Sequence, residues 1–145
     1  MDAAGVDGLT LIAPLDHLTA TRIISRFGPR NTNGGPGSSY HQGIDIKARP
    51  GEPVRAAAAG TVAFVGRRGG YGNLVILEHG NDFMTYYAHL FSSSVRRGDH
   101  VSAGDKIGLA GKSGTATTTH LHFELRRQGS PIDPMPYLMP CLRPV

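Results

Sequence analysis

Three histidine-bearing segments hold the side chains best suited to chemistry: His41-Gln-Gly-Ile-Asp45, Tyr87-Ala-His89-Leu90 and Thr119-His120-Leu-His122-Phe-Glu124-Leu125. Imidazole titrates near neutral pH and is the commonest metal-binding side chain, so these segments could move protons or hold a cation. Along an extended strand, residues two apart share a face at about 6.6–6.8 Å. His120 and His122 therefore point one way, with Glu124 beyond them, while Leu121, Phe123 and Leu125 form the apolar opposite face. A His-x-His pair placed so supplies one or two ligands to a tetrahedral zinc ion. Glu124 stands on that face either as an acceptor for an imidazole N–H or as an exposed strand charge.

His41 and Asp45 would lie about 13 Å apart on a straight strand, too far to share one ion. Gly43 sits midway between them and allows the backbone to bend. Two histidines and one aspartate leave the fourth zinc position to water, the arrangement of a catalytic site. Zinc lowers the pKa of its water to about 7 and polarises a carbonyl. The chain has no His-Glu-x-x-His segment, so no glutamate takes the base position of that motif. The histidines left over, His89 and one of the strand pair, are natural substitutes.

Short strands must position these groups. Strand-like runs occur at Thr61–Val65, Leu74–Glu78, Met84–His89, Lys106–Ala110 and His120–Arg126, several separated by turns rich in Gly or Asn. Such spacing predicts an antiparallel all-β sandwich or barrel, and no segment holds a helical period. Leu9–Pro14 is a short apolar entry, Thr19–Phe27 fits a strand or a short helix, and Asn31–Ser39 is a Gly-rich polar loop. Two units share the form G-x-x-V-x-A followed by a glycine: Gly51 to Ala56 with Gly60, and Gly98 to Ala103 with Gly108. They are either two similar turns or a duplicated strand-turn-strand unit. His17, His79 and His100 are expected to face solvent or cap turns, and Asp82, Asp99 and Asp105 to make local turn bonds.

At 145 residues the chain has the size of one domain. Its 20 glycines and 10 prolines agree with many short elements. The single cysteine, Cys141, precludes an intrachain disulfide. No apolar run approaches the roughly 20 residues of a membrane-spanning helix, and Met1–Ile12 lacks the basic start of a signal peptide. The net charge of +4 favours anionic partners. Its basic residues are scattered singly or in pairs, so nucleic acid is not expected as a partner.

The three histidine segments resemble the LytM/lysostaphin-type zinc peptidases of peptidase family M23. The likeness extends to Phe27-Gly-Pro-Arg30, the run from Gly51 to Gly60, Gly69-Gly-Tyr-Gly-Asn-Leu-Val75 and Asp133-Pro-Met-Pro-Tyr137. It covers roughly residues 12–138, taken as the catalytic domain between tails 1–11 and 139–145. The resemblance implies a mainly β fold, two antiparallel sheets in a sandwich or barrel-like core, with a loop-walled groove. It assigns one Zn2+ per chain to His41, Asp45 and His122, and makes His89 and His120 the catalytic pair beside the zinc-bound water. It implies a monomeric endopeptidase, secreted or in the bacterial envelope, that hydrolyses peptide bonds in peptidoglycan stems or crosslinks. The loop containing Asn31, together with Tyr40, Thr118 and Thr119, is expected along the substrate groove. The segment Ser113–Thr119 departs from the family's usual Ser-Thr-Gly-Pro-type run, its three threonines being expected to extend the following strand.

Two other function classes remain to be distinguished. A non-catalytic wall-binding or hydrolase-activating module of the same scaffold is expected to have lost ligands, and here none is lost. A phosphotransfer scaffold suggested by the repeated G-x-x-V-x-A units explains neither Asp45 nor the strand pair.

Overall fold

The computed structural model describes residues 8–29 and 40–144. Its strands are β1 (Ile23–Ser25), β2 (Gly28–Pro29), β3 (Tyr40–His41), β4 (Ile44–Lys47), β5 (Pro53–Arg55) and β6 (Gly60–Arg67). They continue with β7 (Asn73–Gly80), β8 (Phe83–Ser93), β9 (His100–Val101), β10 (Lys106–Ala110), β11 (His120–Arg127) and β12 (Ser130–Ile132), before the short helix α1 (Met135–Leu138). The ladders are antiparallel, in a branched ten-stranded sheet and a two-stranded ribbon of β2 and β3. The main path runs β1-β4-β11-β8-β7-β6-β9, with β10 joining β5 to β8 and β12 lying on β11. All five strand runs expected from alternation are present. Thr19–Phe27 resolves into a 3-10 turn over Ala20–Arg22 followed directly by β1.

Alternation is what fixes each strand's face. Leu121, Phe123 and Leu125 of β11 are each 0% exposed, and they pack with Ile44, Ile46, Val75, Leu77, Phe83 and Tyr87 in one core. Each such side chain contributes about 1.5–3 kcal/mol by leaving water. Leu11, Leu15 and Leu18 from the N-terminal side enter the same core, as do Met135, Tyr137 and Leu138. The Arg22 guanidinium ties that N-terminal segment down, bonding both Glu52 oxygens at 2.8 and 2.9 Å and the Lys47 carbonyl.

The two G-x-x-V-x-A units pair crosswise: β5 of the first lies on β10 of the second, and β9 of the second on β6 of the first. Each opens with a glycine at positive φ (Gly51 at 79°, Gly98 at 92°). In each an acid closes the turn, Glu52 accepting from Arg49 N–H and Asp99 from Arg96 N–H. Val54 and Val101 are both buried, but Ala56 is buried while Ala103 is exposed. The valine thus carries the repeated packing role.

His100 is exposed and bonds Thr61, while His17 is exposed at φ 54°. His79 departs from the expectation of a solvent-facing residue. It donates Nδ1–H to the Ala59 carbonyl at 2.8 Å and its Nε2 lies 2.6 Å from Thr85 Oγ1. Thr85 is hydrogen-bonded in turn to the Tyr87 hydroxyl, which accepts from Ala57 N–H. Replacing Tyr87 with Phe leaves these fully buried groups short of a partner. The expected loss is about 1–3 kcal/mol, read as a lower denaturant midpoint at unchanged m-value.

Candidate metal centre

Register places Asp45 of β4 directly opposite His122 of β11. Facing residues of an antiparallel pair hold their Cβ atoms about 4.5–5.5 Å apart. His41 joins them because the chain bends at Gln42 and Gly43 between β3 and β4. Glycine is required there by close approach. A Cβ on Gly43 would overlap the Phe123 carbonyl oxygen and lie 2.8 Å from Glu124 Cγ.

The result is a triangle of donor atoms. His41 Nε2 is 3.3 Å from Asp45 Oδ1 and 3.3 Å from His122 Nδ1, and Asp45 Oδ1 is 2.9 Å from His122 Nδ1. Ligands at ordinary zinc distances in a tetrahedron lie about 3.3 Å apart, so this spacing fits. Both imidazoles have their other nitrogen occupied. His41 Nδ1–H donates to the Arg26 carbonyl at 3.0 Å, and His122 Nε2 faces a Glu124 oxygen at 2.8 Å. That leaves His41 Nε2 and His122 Nδ1 as the atoms that converge on Asp45.

His89 and His120 stand beside the triangle, their ring centroids 4.8 Å apart and edge to face. His120 donates Nδ1–H to the Thr118 carbonyl at 3.0 Å, and its Nε2 is 3.7 Å from Asp45 Oδ1, outside the tight set. His89 donates Nδ1–H to the Ser113 carbonyl at 2.7 Å. It sits in a bulge where Ala88 and His89 of β8 oppose Leu74 of β7. Its φ is 61°, a conformation costly for a residue with a Cβ, and strain of this kind gathers at functional sites. The same bulge lets β8 change partners, since residues before it pair with β11 and Leu90–Ser93 with β10. Ser113 holds the region together, its hydroxyl accepting from Asn73 N–H and donating to the Leu90 carbonyl.

All five residues line an open cleft of about 540 Å³. Tyr40 stands at its edge, 49% exposed and packed edge-on against Phe27. Asn31 lies outside the described residues. Thr118 and Thr119 do not line the cleft; Thr115, Ala116 and Thr117 do, opposite Gly70 and Tyr71. The threonines do not extend β11, which begins at His120. Their segment is held as a loop by Thr115 N–H bonding the Gly70 carbonyl and His120 N–H bonding the Gly111 carbonyl. Those bonds override β propensity.

Electrostatics favour a cation here. Burial alone would raise the Asp45 carboxyl, but hydrogen bonds from His122 and His41 hold it far below the usual range. Burial would lower His122, yet its bonds to Asp45 and Glu124 push it up to about 9. Burial would raise Glu124, but His122, Tyr71 and Arg126 stabilise its charge and bring it down. Two carboxylates on one ring make a site where positive charge is welcome, whether proton or metal ion. His89 behaves oppositely: burial lowers it, and the nearby His120 and His122 add to that.

Sequence reasoning missed Tyr71, Ser113 and Arg126. A tyrosine embedded in Gly69-Gly70-Tyr71-Gly72 was the available signal, because a turn of glycines needs no aromatic ring.

The family model "Peptidase family M23" matches residues 39–134. The DD-carboxypeptidase/endopeptidase Mpg of Neisseria meningitidis serogroup B is 43% identical over 126 residues, 87% of this chain and 29% of that protein. The murein hydrolase activator NlpD of Salmonella typhimurium is 39% identical over 121 residues, 83% of this chain and 30% of that protein. The chain thus spans under a third of the length of these relatives. A zinc-containing peptidase from Vibrio cholerae superposes with a TM-score of 0.76 at 32% identity, over 86% of this chain and 39% of the other.

Proposed function

The chain belongs to peptidase family M23, and from that premise we propose that it is a zinc-dependent endopeptidase acting on peptidoglycan peptides in the bacterial envelope. One observation carries the reading: a three-donor triangle with tetrahedral spacing and two further imidazoles share one open cleft. His41, Asp45 and His122 would hold the zinc. When bound, the ion supplies Lewis acidity, which makes water nucleophilic near neutral pH and polarises a carbonyl. His89 and His120 each spend Nδ1–H on a backbone carbonyl, so in the neutral ring the lone pair is on Nε2. Such a ring can take a proton from the attacking water and return it to the leaving amine.

The direct test is digestion of purified peptidoglycan, with chelator and with zinc restored, reading released fragments by mass spectrometry. New peptide termini that vanish with chelator and return with zinc are expected. The likeness to a protein named as a murein hydrolase activator supports a second reading, a module that regulates another hydrolase. Intact walls after exposure to zinc-loaded, folded protein would favour it.

The lowered pKa of His89 gives a pH prediction. The protonated ring, which cannot accept a proton, accumulates only below its ordinary value of about 6.5. The acid limb that belongs to His89 should therefore lie below about 6.5 in a profile of kcat/KM, and His89→Ala should remove it. A limb above that value that His89→Ala abolishes would contradict the proton-accepting role of His89.

A further inference from the structure

We propose that Glu124 is a positioning residue: by accepting the Nε2–H of His122 it leaves Nδ1 as the ring atom turned toward His41 and Asp45, free to take zinc once the ion displaces the Nδ1 proton. This inference rests on the zinc reading of the site. Glu124 is 1% exposed, and each of its oxygens is held. Oε2 accepts from the Tyr71 hydroxyl at 2.8 Å and lies 2.8 Å from His122 Nε2. Oε1 accepts from Arg126 Nε at 2.8 Å. Arg126 is anchored in turn, donating to Gln42 Oε1 at 3.2 Å and to the Tyr71 oxygen at 3.1 Å, with its guanidinium over the Tyr86 ring. The carboxylate therefore cannot rotate away from the imidazole.

Two consequences follow for the ring. The bond at Nε2 selects the form in which Nδ1 is free to bind metal, and the negative charge makes Nδ1 a better donor. Tyr71 comes from the glycine turn that walls the cleft and also packs on His122, ring centroids 5.9 Å apart. The cleft wall and the metal-binding imidazole are thus joined through one carboxylate.

The test measures zinc affinity by competition with a chromogenic chelator, with no substrate present. Glu124→Ala should raise the zinc Kd about 10–100-fold, and Glu124→Gln, which keeps an acceptor without the charge, should raise it less. Tyr71→Phe, which frees one side of the carboxylate, should also raise it. Glu52→Ala is the control, because Glu52 is a buried partner of Arg22 that touches no member of the site. It should lower the melting temperature and leave the zinc Kd unchanged. In zinc-loaded, 15N-labelled protein, the His122 ring N–H should be protected from solvent exchange, and lose that protection in the Glu124 variants but not in Glu52→Ala. If Glu124→Ala fails to fold, Glu124→Gln and Tyr71→Phe give the same readouts with volume conserved. Zinc affinity within about twofold of the parent in the Glu124 variants would overturn the proposal. A protein that binds zinc in this Glu124-dependent way yet leaves peptidoglycan intact would sink the peptidase reading and leave this one standing.

Discussion

Replacing Gly43 with alanine should strip the site of zinc and of activity without touching any donor atom. The added Cβ would overlap the Phe123 carbonyl oxygen and stand 2.8 Å from Glu124 Cγ and 3.1 Å from His122 Cε1. The first of these cannot yield cheaply, because Phe123 is paired with Ile44 in the β4–β11 ladder. Relief must come from moving β4 away from β11, which separates Asp45 from His122. Overpacking of this kind costs about 1–3 kcal/mol. A displacement near 1 Å at a catalytic site can cost about 100-fold in rate. Zinc content by elemental analysis, the denaturant midpoint and peptidoglycan hydrolysis should all fall together. A Gly43→Ala protein with full zinc and full activity would show that the bend is not what joins His41 to Asp45.

Asp45→Ala and His120→Ala should separate metal binding from catalysis. Asp45 Oδ1 is the atom on which both donor nitrogens converge, at 3.3 and 2.9 Å. Its loss leaves two imidazoles facing each other with no negative charge between them, so zinc should be lost and activity with it. His120 spends its Nδ1–H on the Thr118 carbonyl, and its Nε2 stays 3.7 Å from Asp45. Its alanine variant should keep zinc and lose about 100- to 10,000-fold in rate, the usual share of general acid–base catalysis. His89→Ala should behave likewise, with no stability gained from the backbone, because alanine keeps the Cβ that makes φ 61° costly. Zinc lost from His120→Ala as fully as from Asp45→Ala would make His120 a ligand.

The local reading was strongest where the controlling physics is local. Strand alternation alone set the faces of β11, with Leu121, Phe123 and Leu125 in the core and the two histidines in the cleft. The turn acids Asp99 and Asp105 accept bonds from Arg96 and Ser102 N–H, each three residues away, as their types suggested. The threonine run failed the same logic, because its shape is imposed by Gly70 from another loop.

By itself the sequence determined which segments are strands, which faces are apolar, and that a glycine between His41 and Asp45 permits a bend. It could not choose between His120 and His122, since both occupy one face; only the cross-strand register puts His122 opposite Asp45 and His120 opposite Lys47. Nor could it say whether Glu124 is an exposed charge or a partner of His122, because the burial comes from Tyr71 and Arg126. Tyr71 lies 53 residues away in the chain and Gly70 45 residues from Thr115. Periodicity reports only neighbours a few positions apart. Contacts across such separations exist only once the strands have paired, so tertiary structure alone decided how the cleft is walled and how the imidazoles are held.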